Sequence, residues 1–241
     1  MKKYILVGLL VIIVLGIALA PATLISRALD GQPQLSLLQP RGTVWQGQGQ
    51  LLVQGHNVGS LSWSLNPLSL FTLSIQADWQ LDQVLARVTG QASVSSDLFD
   101  LRANGTVQAG ALAPVLGVYD IDLTGVFELT NVHLTGPLDG TTLNSADGQV
   151  DWSGGPVRFG LSGRLFEQTL PPLVAFLKDD PAPHASVFAQ GDETPLMHLG
   201  EGAPGFIKID VTKRFTTLIG QPWPGNDPGH RVVVSVEEQI L

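Results

Sequence analysis

Between Phe71 and Leu81 the chain reads FTLSIQADWQL, and every second residue is apolar. Phe71, Leu73, Ile75, Ala77, Trp79 and Leu81 fall on one side, with Thr72, Ser74, Gln76, Asp78 and Gln80 on the other. Successive side chains of an extended strand point to opposite faces, so this period of two predicts a strand with one apolar and one wet face. The pattern recurs with Val84, Ala86, Val88, Ala92 and Val94, with Phe99, Leu101, Ala103 and Val107, and with Tyr119, Ile121, Leu123, Phe127 and Leu129. The parity then slips by one before Val132 and Leu134, which predicts a β-bulge or a strand end. VRFGLSGRL, GFIKIDV and RVVVSVEE supply later strands.

Turn signals separate these runs: Asn66-Pro67, Asn104-Gly105, Gly136-Pro137, Asp147-Gly148 and Gly154-Gly155-Pro156. Short links between successive strands favour antiparallel pairing over βαβ crossovers. Two helical stretches interrupt the pattern: LAPVLGV, which Pro114 keeps short, and TLPPLVAFLKD, read as a short helix opening at Pro171-Pro172. The stretch holding Pro181, Pro183, Gly191 and Pro195, and QPWPGNDPGH at 221–230, read as loops. The expected fold class is mainly β: a curved, mostly antiparallel sheet with one or two short helices. A sheet apolar on one face must close, meet another layer or present an apolar groove. Phe71, Leu73, Ile75 and Trp79 are candidates for such a face.

The N-terminus adds a different element. Met1, Lys2 and Lys3 precede YILVGLLVIIVLGIALA, an unbroken apolar run that ends at Pro21. With PATLI it is long enough to cross a bilayer core of roughly 30 Å at about 1.5 Å per residue. Two lysines in front and no basic cluster behind place the N-terminus in the cytoplasm. Ala18-Leu19-Ala20 has the form of a signal-peptidase site, but Pro21 disfavours cleavage there, so an uncleaved signal anchor is expected. Thr23 to Leu29 extends the helix until Asp30-Gly31 breaks it. The expected organisation is an anchor with a short linker over residues 1–30 and an exported β-rich domain over 31–241.

Little in the chain looks like chemistry. The formal charge is −8, from 13 Lys and Arg against 21 Asp and Glu, and there is no basic stripe to neutralise nucleic-acid phosphates. Without cysteine there is no disulfide, thiolate metal site or thiol nucleophile. His56, His133, His184, His198 and His230 lack metal-ligand spacing, and His198 with Glu201 is the nearest acid–base pair. Ser162 in GLSGR is not a nucleophile elbow. Asp120 and Asp122 alternate with apolar neighbours on a wet strand face, and Asp179-Asp180 ends the expected short helix. GQGQ after Trp45 precedes no helix, so it makes no phosphate cradle. No enzyme, cofactor or metal is expected.

One phrase occurs twice. RGTVWQGQGQ at 41–50 and DGQVDWSGG at 147–155 each place Gly and Val before a Trp, with a second Gly after it. A Trp covers a large area of core, and a nearby Gly lets the indole lie on bare backbone or lets the chain bend. Trp45 with Gly47, and Trp152 with Gly154, therefore read as anchors of two related β-modules, over about 35–135 and 140–241.

The first copy carries more. After the apolar N-terminal run come Gly42, Thr43, Trp45 and Gly47, and then Trp63, Leu65 and Pro67 in NVGSLSWSLNP. This order resembles the type II secretion system protein N family (general secretion pathway protein N) of Gram-negative bacteria, whose G-T-x-W-x-G-like element is followed by W-x-L-x-P. The resemblance implies a non-catalytic inner-membrane subunit of the apparatus that exports folded proteins across the outer membrane. It would be single-pass, with a cytoplasmic N-terminus and a periplasmic domain that contacts the secretin or the inner-membrane platform. The alternative is a resemblance to AsmA-like periplasmic proteins, in which an apolar groove of a curved sheet handles lipid.

Overall fold

In the computed structural model, residues 19–29, 35–139, 142–161, 163–180, 182–203 and 205–239 are described. Residues 4–18 of the apolar run expected to form the anchor, the Asp30-Gly31 break, Ser162 and the side chain of Phe71 lie outside that description. Among the described residues no helix is long and apolar enough to cross a membrane. The chain is mainly β, in open antiparallel sheets with a few short helices. It divides into two compact units between Val84 and Leu85.

The first unit opens with helix α1 (Thr23–Leu29), followed by β1 (Leu35–Gly42), β2 (Gln46–Val53), β3 (His56–Leu65) and β4 (Ser74–Gln83). The four strands pair antiparallel in chain order. The strand predicted from Phe71 starts later, because Pro67–Thr72 form a 3-10 helix and Leu73 adopts φ 54°. Pro67 fixes φ for such a turn, and the Asn66 side chain accepts from the Leu68 N–H at 3.0 Å. Ala22, Leu37 and Trp63 form the core, with Ile25, Leu29, Leu61 and Leu65 packed around them.

In the second unit β5 (Ala86–Ser95) and β6 (Leu98–Gln108) lead into a compact turn containing helix α2 (Ala113–Leu116). Then come β7 (Ile121–Leu123), β8 (Val126–Pro137), β9 (Ser145–Trp152), β10 (Gly155–Leu161), β11 (Arg164–Leu170) and β12 (Leu173–Lys178). The unit ends with β13 (His184–Ala189), β14 (Pro195–Glu201), β15 (Phe206–Thr212), α3 (Lys213–Leu218) and β16 (Val232–Gln239). The larger sheet runs β5-β6-β8-β9-β12-β13-β14-β15-β16, while β10 and β11 leave it to pair with β7.

Two sequence expectations meet the structure differently here. The slip between Leu129 and Val132 is a bulge: the ladders of β8 shift on both sides, and Asn131 takes φ 49°. Asn tolerates that left-handed conformation, and the Asn131 N–H donates to the Asn104 side-chain oxygen at 2.7 Å. The helix expected in TLPPLVAFLKD is instead β12, paired with β9 and β13 on its two sides. An apolar run of that length fits either element, and two open ladders decide for the strand. The six-residue α3 went unpredicted, lying between two strand patterns.

The larger sheet keeps one apolar face across its register. Ala175, Val187, Met197, Val211 and Val234 lie opposite one another on successive strands, as do Leu177, Ala185, Leu199, Ile209 and Val236.

Candidate functional site

The RGTVWQG element forms the β1–β2 turn. Thr43 closes it: its N–H donates to the Gln46 carbonyl at 2.9 Å, and its hydroxyl accepts from the Gln46 N–H at 3.1 Å. The turn also receives the chain arriving from the N-terminus. The Val44 N–H donates to the Ala20 carbonyl at 2.8 Å, the Ala22 N–H donates to the Gly42 carbonyl at 3.1 Å, and Pro21 bridges to Thr43. Ala22 is 1% exposed, so the segment directly after the apolar run is part of the unit's core.

Trp63 seals this junction from β3. Its ring N–H donates to the Val44 carbonyl at 3.0 Å, and Gly47 lies directly across the ladder from it. A Cβ on Gly47 would stand 2.5 Å from Cζ2 of the indole and 2.6 Å from the Arg41 carbonyl oxygen, so only glycine lets the ring lie on the backbone. Trp45 is half-buried in the turn, and its carbonyl accepts from the Leu65 N–H at 2.6 Å. Leu65 packs on the core, and Pro67 opens the 3-10 turn.

The second unit repeats the arrangement. Trp152 is 5% exposed, donates its ring N–H to the Thr124 carbonyl at 2.8 Å and stacks on Phe127 at 6.2 Å. Trp152 faces Phe127 as Trp63 faces Gly47, and each ring N–H reaches the carbonyl three residues before its partner, at Thr124 and Val44. Short segments cover both rings, Ile25 and Leu29 of α1 in one unit and Leu218-Ile219 in the other. Structurally, then, Trp152 corresponds to Trp63, not to Trp45. The sequence does carry that signal, in GSLSWSLNP at 59–67 and GQVDWSGGP at 148–156. In both, Gly precedes the Trp by four residues at positive φ (129° and 123°), and Ser and Pro follow at the same spacing. Gly154, φ 76°, is a tight bend after the second Trp.

The remaining candidates scatter. Leu73 is 88% exposed and Ile75 48%, while Trp79 is half-buried across from Trp63. Among the described residues no acceptor reaches the buried ring N–H of Trp79. Asp120 lies in the turn before β7, and Asp122 pairs with Arg158 at 2.8 Å on the surface. His198 and Glu201 have separate partners, Ser186 at 2.9 Å and the Leu143 N–H at 2.5 Å. No three His, Asp or Glu among the described residues gather as a metal site.

Register does bring Ser186, His198 and Asp210 into one row across β13, β14 and β15. Ser186 sits mid-strand with its backbone taken up by ladders on both sides, so its own N–H is not free to serve as an oxyanion donor. Asp210 is held below its ordinary value of 3.8, chiefly by the Ser235 hydroxyl donating at 2.6 Å and also by Lys208 at 3.1 Å. A depressed carboxyl contributes stability above the unfolded pKa and loses it as pH falls through the folded value. Asp210→Asn is therefore expected to be less stable than wild type at pH 7, with the gap closing below 3.8. Urea unfolding across pH checks this; a gap that persists at acid pH would contradict it.

At one end of the larger sheet the apolar face deepens into a cavity of about 300 Å³, floored by Leu134, Ala146, Leu177, Ala185, Leu199 and Ile207. Glu201 and His184 stand among its lining residues.

Residues 33–179 match the model of a family described as Type II secretion system (T2SS), protein N. No curated protein and no solved structure matches the chain.

Proposed function

This chain belongs to the type II secretion system protein N family, and from that membership we propose that it is a non-catalytic, inner-membrane-anchored subunit that assembles with its neighbours in the periplasm. The family is a structural component of type II secretion, which implies contacts with other components of that apparatus. The finer reading puts residues 1–3 in the cytoplasm, the apolar run in the inner membrane and both β units in the periplasm. Ala22 and Ile25 pack in the cluster with Trp63, which supports reading the span as ending by Ala20, short of the PATLI extension expected from the sequence. Tyr4 to Ala20 is 17 residues, at the short limit for a bilayer core, with Lys2 and Lys3 able to reach the head groups.

The observation that carries this reading is the grip of the Gly42–Gly47 turn on Ala20–Ala22. It leaves no slack tether, so the first unit would stand directly at the membrane. The partner is read as the secretin or the inner-membrane platform, and the mode as strand addition. In the described strand order β1 and β16 each have a neighbour on one side only, and Val232 and Val236 on β16 are exposed. The two Trp-sealed junctions are read as the centres of related modules. A reporter active only in the periplasm, fused after Ser60, should be active, and a photo-crosslinker at Val236 should capture a secretion subunit. A fusion that is made but inactive, retained in the cytoplasm, would overturn the topology.

A second reading, lipid handling through the apolar groove as in AsmA-like proteins, is favoured by the cavity at Leu134, Ala146, Leu177 and Leu199.

A further inference from the structure

We propose that this cavity holds an acyl tail of a phospholipid with an ammonium head group, entering tail first with the head at Glu201; the proposal rests on the lipid reading. Three observations select that occupant. The floor is aliphatic, contributed by β8, β9 and β12 to β15, and its volume of about 300 Å³ lies at the lower end of small-ligand sites. The six floor side chains themselves offer water no polar partner.

A peptide strand is a poor fit. The backbone groups of the floor are committed to ladders with their neighbours: Leu177 with Ala185, Ala185 with Leu199, Glu201 with Ile207. An inserted peptide would leave its own N–H and C=O groups unpaired against hydrocarbon, whereas an acyl chain makes no such demand.

The rim decides the head group. Among the described lining residues Glu201 is the one carboxylate, and no Lys or Arg is present. The Asp179 carboxylate sits beside Ala146, accepting from its N–H at 2.5 Å and from the Ser145 hydroxyl at 3.0 Å. Glu201 accepts from the Leu143 N–H, which fixes its position at the mouth. Lys208, across the ladder from Gly200, is engaged with Asp210. Such a rim attracts an ammonium and repels an anionic head group.

The full-length protein is mixed with vesicles of phosphatidylethanolamine and phosphatidylglycerol. A trace of phosphatidylethanolamine in them bears a diazirine near the end of one acyl chain, and labelled peptides outside residues 1–29 are mapped after irradiation. The label is expected on β12 to β15. Leu199→Glu, which puts a carboxylate in the floor, and Ala185→Trp, which fills it without charge, should each reduce it about tenfold or more. His198→Ala, on the other face, should leave it unchanged, and circular dichroism confirms that each variant folds. The same diazirine chain on phosphatidylglycerol should label less; equal labelling overturns the head-group assignment. Label that maps elsewhere and ignores both cavity variants overturns the site and leaves the lipid reading standing. Labelling no greater than that of a soluble non-binding protein overturns both.

Discussion

Trp152→Ala is expected to destabilise the protein by about 3–5 kcal/mol, the range for emptying a buried aromatic site. The ring is 5% exposed, stacks on Phe127 and packs with Val157 and Leu170, which bring the small sheet against the large one. Its removal leaves a cavity and deprives the Thr124 carbonyl of its donor. Trp152→Phe keeps most of the apolar contact and loses the hydrogen bond, so about 1–2 kcal/mol is expected. Trp63→Ala should cost a similar amount in the first unit, where the ring holds Ala22 and Leu37 together. Urea unfolding followed by far-UV circular dichroism measures all three. A Trp152→Ala protein within ~1 kcal/mol of wild type would contradict the role assigned to the ring.

Gly47→Ala is the second large effect, at about 1–3 kcal/mol from a single methyl group. The added Cβ would meet the Trp63 ring at 2.5 Å and the Arg41 carbonyl at 2.6 Å, one a packed side chain and the other backbone in the neighbouring strand. Neither can retreat cheaply, since the ring is tied to Val44 and the carbonyl lies in the β1–β2 pair. Relief requires opening the turn that holds Ala20 to Ala22. Gly47→Ala should therefore raise protease sensitivity near residues 19–29 before the second unit is affected. Unchanged sensitivity there, with wild-type stability, would sink the argument.

The strands β4 to β8, β10, β11, β15 and β16 were legible because their signal is a simple period, and the bulge at Asn131 was legible as a break in that period. The stretch holding Pro181, Pro183, Gly191 and Pro195 reads as loop, yet His184–Ala189 is β13, paired with β12 and β14, and Pro195 opens β14. Residues 171–179 were misread because Pro171-Pro172 opens a helix or a strand equally well, and only the ladders to β9 and β13 choose. The start of β4 was displaced because alternation through Phe71 and Leu73 continues across a 3-10 turn that the Asn66 side chain helps to set. The motif at Gly42, Thr43, Trp45, Gly47, Trp63, Leu65 and Pro67 pointed to the family that the match over 33–179 shows. What the motif does physically was harder to read. That Trp63 and Trp152 are equivalent depends on which carbonyl each ring N–H reaches, and on a Gly-to-Trp spacing within β3 and β9 that lies outside the more conspicuous repeat. The cavity was invisible in sequence, because it needs the register of six strands.

The central claim is that the chain serves type II secretion from the inner membrane. Deleting its gene and assaying folded exoproteins in the medium and the periplasm tests it most directly. The account predicts that exoproteins leave the medium and accumulate in the periplasm, with export restored by the wild-type gene. Undiminished secretion in the deletion strain would contradict it.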